Sequence, residues 1–244
     1  MKEVESEVVD VVVTSPPYNV NCPYSLHNDN LTEDEYDQLL YDVFMECDRV
    51  MVKGGRIAVN IPWGIGRNPY LPVYPRVIQV LNNFFNLTGT IVWKKSGSSN
   101  LTSWGSWRSP ASPSLRDYTE AIIVAQKTGK FCIPDGVLDN DEKGRKVSPW
   151  LSSQRFMVLT NDCWEVSPTQ ATKSGHPAAF PVEIPKRIIE LFGYPGCNVL
   201  DPFAGSGSTG LAADSLGCNA ILYDIDPIYC EHMEEQLIRQ PRMF

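Results

Sequence analysis

The sequence lacks the marks of several protein classes. Its seven cysteines, Cys22, Cys47, Cys132, Cys163, Cys197, Cys218 and Cys230, are scattered and odd in number, and no two are spaced as C-x-x-C. This excludes a disulfide framework, argues against a zinc site and fits free thiols in a reducing compartment. His232 near Cys230 reads as helix surface. No long apolar run and no signal-peptide pattern is present, so the chain is expected in the cytoplasm, away from membranes. Internal repeats and low-complexity linkers are absent too. With 244 residues and 43% hydrophobic content, one well-buried α/β domain over residues 1–244 is the simplest organisation.

Positive charge is also scarce. The net charge of −8 speaks against a polyanionic partner until its distribution is considered. Between Lys94 and Arg155, ten Lys/Arg stand against six Asp/Glu, which leaves +4 there and −12 on the rest. A basic middle on an acidic body is what a phosphate-contacting face requires.

The most informative stretch present is Asp201-Pro202-Phe203-Ala204-Gly205-Ser206-Gly207-Ser208-Thr209-Gly210. The apolar run Cys197-Asn198-Val199-Leu200 leads in and Leu211-Ala212-Ala213 leads out. This is a strand, a glycine turn and a helix start, where parallel α/β sheets hold nucleotide-like ligands. Only 34 residues follow Gly210, enough for a helix, the strand Asn219–Tyr223 and a last helix. The other strands must precede the turn, so the usual element order is permuted.

An early strand is plain in Val8-Val9-Asp10-Val11-Val12-Val13, a β-branched run covered on both faces. It ends in Thr14-Ser15-Pro16-Pro17-Tyr18-Asn19, and two prolines cannot continue a ladder. Thr32-Glu33-Asp34-Glu35 is a capping box. Helical spacing follows through Tyr36, Leu39, Leu40, Val43, Phe44, Cys47, Val50 and Met51, with Gly54-Gly55 expected to stop the helix. Further strands are expected at Arg56–Ile61, Thr88–Trp93 and Glu120–Ala125, with a short one at Phe156–Leu159. Helices are expected at Pro75–Phe85 and at 182–192. The polar stretch from Asp135 to Lys146 reads as a mobile loop. Alternating strands and helices predict a mainly parallel sheet.

Ser-Pro-Pro-Tyr early, His176-Pro177-Ala178-Ala179-Phe180-Pro181 later, and then the glycine stretch together resemble the β-class amino-methyltransferases of DNA. The resemblance covers nearly the whole chain. It implies a Rossmann-like methyltransferase fold with a twisted, mainly parallel sheet in circularly permuted order. It also implies S-adenosylmethionine as cofactor and double-stranded DNA as partner, with a nucleoid-associated location. A cognate restriction endonuclease and a second copy of the chain are further partners it allows. Carried over by motif, Ser15, Pro16, Pro17 and Tyr18 are the catalytic loop. Thr14, His176, Phe180, Pro181, Asp201, Phe203, Ala204, Gly205, Ser206, Gly207 and Asp224 are the cofactor set. The family pattern also implies an upstream strand carrying a Gly-Asp pair. Only seven residues precede Val8, so weak cofactor affinity is expected.

The chemistry suits these residues. An exocyclic amine is a poor nucleophile because its lone pair is delocalised into the ring. The Ser15 hydroxyl and the rigid Pro16 carbonyl can accept its hydrogens and expose that lone pair. Tyr18 offers a stacking face to a flipped base. Cytosine-N4 enzymes of the family usually carry Ser at the first loop position and adenine-N6 enzymes carry Asp, so Ser15 favours N4 of cytosine. Target recognition is expected in a short insertion at about 94–160, with Lys94, Lys95, Trp104, Arg108 and Arg116 at the DNA. A nicotinamide-dependent reading fits G-x-G-x-x-G and Asp224 alone, but leaves Ser15–Tyr18 and the Trp/Arg-rich stretch unexplained. The motifs also fit a cofactor- and DNA-binding module without activity, and a methyltransferase acting on RNA or on a protein amide.

Overall fold

The computed structural model describes residues 1–20, 29–66, 69–96, 105–168 and 180–239. In chain order the elements are β1 (Val9–Thr14), α1 (Glu33–Val50), β2 (Met51–Ile61), β3 (Gly64–Ile65), β4 (Leu71–Pro72), α2 (Tyr74–Leu81), β5 (Phe85–Lys95), β6 (Thr119–Lys127), β7 (Asp139–Asn140), β8 (Lys146–Val147), α3 (Ser153–Leu159), β9 (Cys163–Val166), α4 (Glu183–Phe192), β10 (Asn198–Asp201), α5 (Ser208–Ser215), β11 (Asn219–Leu222) and α6 (Pro227–Arg239). Seven strands form one sheet in the order β11-β10-β1-β2-β6-β5-β9. β6 runs antiparallel to β2 and β5, and the other neighbours pair in parallel. β1, first in sequence, therefore lies beside β10, which follows it by almost the whole chain. This adjacency is the permuted order that the late glycine turn implied.

β1 is buried along its full length because layers cover both of its faces. Val12 packs with Leu40, Phe44 and Val77 from α1 and α2. Val11 and Val13 pack with Ile184, Ile188 and Ala212 from α4 and α5. That is the two-residue alternation of a strand sandwiched between helices. α1 begins at the predicted capping box: Glu35 N–H donates to Thr32 Oγ1, and Glu35 Oε2 accepts from Thr32 N–H at 2.8 Å. Buried Asp10 fixes the β1 to β10 junction by accepting from the Tyr194 hydroxyl at 2.8 Å and from Asn198 N–H at 2.8 Å.

Several assignments differ from the sequence reading. α1 ends at Val50, because Met51 turns extended and pairs with Val9. Gly54-Gly55 lie inside β2 instead of capping the helix. Gly54 has φ +77, and a Cβ there would meet Phe131 N at 2.2 Å, so the glycine permits a close backbone crossing. α2 stops at Leu81, and Phe85 opens β5. Phe156–Leu159 is helical: the Ser152 hydroxyl caps α3 by accepting from Arg155 N–H at 3.1 Å, and Leu159 alone is buried in it. The strand of that region is β9, which alternates exposed and buried residues. The polar stretch 135–146 contributes to a small hairpin, β7–β8, whose turn is held by Asp141 Oδ1 accepting from Lys143 and Arg145 N–H. Within 94–160, β6 belongs to the central sheet, so only the excursions on either side of it lie outside the core. Among the described residues no helix is long and apolar enough to cross a membrane.

Tyr194→Phe removes one of the two donors to buried Asp10. It is expected to lower unfolding free energy by about 1–3 kcal/mol, the cost of an unsatisfied buried acceptor. Urea unfolding should show an earlier midpoint at unchanged slope.

Candidate active site

β1 delivers its C-terminal residue, Thr14, to the top of the sheet, and the two prolines then turn the chain. The turn is fastened from several elements. The Tyr36 hydroxyl of α1 donates to Pro17 O at 2.9 Å. Asn19, at φ +57, exchanges two hydrogen bonds with the Leu31 backbone. Asp29 accepts from Asn19 and Val20 N–H. Ser15, Pro17 and Tyr18 stay partly exposed while Pro16 is buried.

The polar ends of this loop converge on two residues that sequence reasoning missed. Ser15 Oγ lies 3.0 Å from Tyr18 Oη and donates to Asn60 O at 3.2 Å. The Tyr18 hydroxyl donates to Glu120 Oε2 at 3.1 Å. The Asn60 side-chain amide donates to Tyr18 Oη at 3.0 Å and to Glu120 Oε2 at 2.7 Å. Lys95 pairs with Glu120 Oε1 at 2.6 Å. Burial, and then the Glu120 charge, hold the Tyr18 phenol well above its ordinary value, so it keeps its proton. Asn60 Oδ1 is buried with no partner among the described residues, an arrangement that calls for a ligand or water to complete it. The available signal for these two was polarity inside strands otherwise buried on both faces: Asn60 in Ala58–Ile61, and Glu120 before Ala121–Ala125.

The second half of the site is the glycine turn between β10 and α5. Asp201 is wholly buried. Its carboxylate accepts from Thr14 Oγ1 at 2.7 Å, Thr209 Oγ1 at 2.6 Å and Phe203 N–H at 3.1 Å. Burial pushes its pKa up to about 6; the bonds from Thr209, Thr14 and Phe203 oppose that rise, and the Asp224 charge adds to it. Asp201 thus spends its carboxylate on tying the end of β1 to the turn. Gly205 and Gly207 have φ +49 and +81, a region glycine enters without strain. A Cβ on Gly207 would meet Met233 at 2.8 Å. Asp224, two residues beyond β11, is half-buried and accepts from Gly205 N–H at 2.8 Å and Asp226 N–H at 2.9 Å. Ile225 beside it is exposed.

The other predicted residues divide. Ala204 and Ser206 are buried in the turn and Phe203 is partly exposed. Phe180 and Pro181 are buried, and the Phe180 carbonyl accepts from Ser208 Oγ at 2.8 Å, docking that segment on the start of α5. His176 and Trp104 lie outside the described residues. Lys94 pairs at the surface with Glu165 at 3.2 Å, while Lys95 is turned inward to Glu120. Arg108 is exposed at φ +53 in a tight loop where Ser106 N–H donates to Ser112 O at 2.8 Å. Arg116 is exposed over the Tyr118 ring at 4.8 Å. Trp107, part of the Trp/Arg-rich stretch, is exposed, and so is Leu115, which was not singled out from the sequence.

Comparison with known proteins agrees with this geometry. A family model described as DNA methylase, covering N6 and N4 methyltransferases, matches residues 9–235. The chain is 29% identical over 283 aligned positions to the type II methyltransferase M.MjaI of Methanocaldococcus jannaschii, covering 100% of this chain and 90% of that one. It is 29% identical to the DNA adenine methyltransferase YhdJ of Escherichia coli, covering 94% and 76%. A DNA modification methylase from Thermus thermophilus, solved in complex with S-adenosyl-L-methionine, superposes with a TM-score of 0.74 at 25% identity, covering 100% of this chain and 90% of that one. The family match spans both the Ser-Pro-Pro-Tyr loop and the glycine turn that Asp201 joins, and the chain belongs to the N6/N4 DNA methylase family.

Proposed function

We propose that this DNA methyltransferase moves the methyl group of S-adenosylmethionine to the exocyclic amine of a base extruded from double-stranded DNA, with N4 of cytosine preferred. The observation that carries this reading is the Thr14–Asp201–Thr209 tie, which draws the Ser15–Tyr18 loop and the glycine turn together at one end of the sheet.

The residues present suit the cofactor. The half-buried Asp224 carboxylate offers acceptors for a ribose diol. Exposed Ile225 offers an apolar face for a purine, and the turn at the start of α5 suits a small carboxylate. When bound, the cofactor supplies an electrophilic methyl carbon on a sulfonium. The chain's own groups prepare the amine. Ser15 Oγ and the Pro16 carbonyl accept its two N–H groups and draw its lone pair out of conjugation. The Tyr18 hydroxyl is anchored inward, which fixes the plane of a partly exposed ring for stacking, worth roughly 1–3 kcal/mol per base. No covalent enzyme intermediate is needed, so positioning and electrostatics carry the acceleration.

The end of β5 brings Lys94, and the excursion between β5 and β6 brings Arg108, Arg116 and Trp107, to the surface, a mixture suited to phosphates and base edges. Ser15, in place of the Asp usual in adenine enzymes, supports cytosine. The similarity to YhdJ supports N6 of adenine as the second reading. A cognate restriction endonuclease is the companion this reading expects.

The deciding assay incubates the protein with radiolabelled S-adenosylmethionine and unmethylated genomic DNA, then digests to nucleosides. Label is expected in N4-methylcytosine. Label in N6-methyladenine overturns the base choice, and no label overturns the activity. Two variants should separate the halves of the site. Tyr18→Ala should cut turnover by on the order of 100-fold with little change in cofactor affinity. Asp224→Ala should weaken cofactor binding by about tenfold or more, read by calorimetry.

A further inference from the structure

The network beneath the catalytic loop fixes the direction of every hydrogen bond in it, and that direction decides what Ser15 offers a substrate. Glu120, ion-paired with Lys95 through Oε1 at 2.6 Å, is a carboxylate, and a carboxylate only accepts. Both Asn60 amide N–H groups are then committed, one to Glu120 Oε2 and one to Tyr18 Oη. The single Tyr18 proton goes to Glu120 Oε2. Tyr18 Oη therefore has no proton for Ser15 and can only accept from it. The single Ser15 proton is drawn inward, to Tyr18 Oη at 3.0 Å or Asn60 O at 3.2 Å. What Ser15 Oγ has left to present is lone pairs.

We propose that Glu120, held by Lys95, is a positioning residue whose negative charge polarises the Tyr18–Ser15 pair so that Ser15 meets the target amine as a pure acceptor. The inference rests on the proposed amine methylation. It makes Ser15 equivalent, toward an N–H group, to the carboxylate that adenine enzymes carry there. The hydroxyl alone therefore keeps adenine as the second reading, beside the family preference by which Ser15 favours cytosine. The raised Tyr18 pKa agrees, since a phenol that keeps its proton passes on the Glu120 charge through its dipole.

Glu120→Gln is nearly isosteric but breaks the direction. A glutamine amide donates to Tyr18 Oη and the Tyr18 proton swings to Ser15 Oγ, so the Ser15 proton loses its shorter acceptor and keeps only Asn60 O at 3.2 Å to hold it away from the amine. Single-turnover methylation should fall by ~10–100-fold with S-adenosylmethionine and DNA affinities unchanged. Because the effect passes through the Tyr18 hydroxyl, E120Q should cost nothing further in a Y18F background. A readout without turnover accompanies this: the 13Cζ resonance of Tyr18 should titrate at lower pH in E120Q than in the wild type. Should E120Q not fold, E120D, which keeps the charge but draws it back from Tyr18 Oη, should also lower the pH at which the Tyr18 resonance titrates. The groups facing Glu120 are Lys95 from β5, Asn60 from β2 and Tyr18 from the loop. A wild-type rate in E120Q, full additivity with Y18F, or a Tyr18 resonance blind to Glu120 overturns the proposal. A wild type that labels no base, with the Tyr18 shift present in the variant, overturns the methylation reading and leaves the polarised network standing.

Discussion

Everything at the working end of this molecule hangs on one buried carboxylate. Asp201 ties Thr14, the last residue of β1, to Thr209, in the first turn of α5, across a separation of 187 residues between Thr14 and Asp201. Thr209 Oγ1 also lies 3.4 Å from Val13 O, so the helix touches the strand directly. Burying an ionised carboxylate is costly unless hydrogen bonds replace its water. Three donors do so here, and the raised pKa of about 6 records what desolvation still takes. The lock holds together two segments that the permuted chain order sets at opposite ends of the sequence. It adjoins the Ser15–Tyr18 loop on one side and the Gly205–Gly207 turn on the other.

Around that lock the site divides its tasks. The glycine turn and Asp224 form a backbone-lined rim with acceptors. The proline loop forms the opposite rim, with its polar groups tied down into the sheet. The loop cannot drift independently, because Tyr36, Asp29 and Asn19 fasten its ends while Asn60 and Glu120 fasten its hydroxyls. Such fastening is what catalysis by orientation needs, since small misplacements of an acceptor cost large factors in rate. β6, the antiparallel strand of the seven-stranded sheet, carries Glu120 into this position between β2, which brings Asn60, and β5, which brings Lys95.

Much of this was legible in the chain, and the rest was not for identifiable reasons. β1, α1 and the β10–α5 turn carry local signals: a β-branched run, a capping box with helical spacing, and glycines between a strand and a helix. The errors arose where local chemistry was ambiguous. Gly54-Gly55 normally marks a helix end, but here it lets β2 pass close to Phe131. Phe156-Met157-Val158-Leu159 fits a strand by composition, and the Ser152 cap decided for a helix. Asp201 was singled out as a cofactor contact, and its bonds to Thr14, Thr209 and Phe203 N–H within the chain were not legible, because Thr14 lies far away in sequence. Glu120, Asn60 and Lys95 could not be grouped from sequence, because sheet register joins Glu120 to Lys95, 25 positions away, to Asn60, 60 away, and to Tyr18, 102 away.

Hydrogen exchange on Thr209→Val is the most direct measurement of the central claim. The substitution keeps shape, deletes one donor to Asp201 together with the longer contact to Val13 O, and touches neither the proline loop nor any residue assigned to the target base. The account predicts faster amide exchange in a peptide spanning Val9–Tyr18, on the far side of the lock, as well as around Gly205–Ala212. Acceleration confined to Gly205–Ala212, with Val9–Tyr18 exchanging as in the wild type, would contradict the claim that Asp201 couples the two halves of the site.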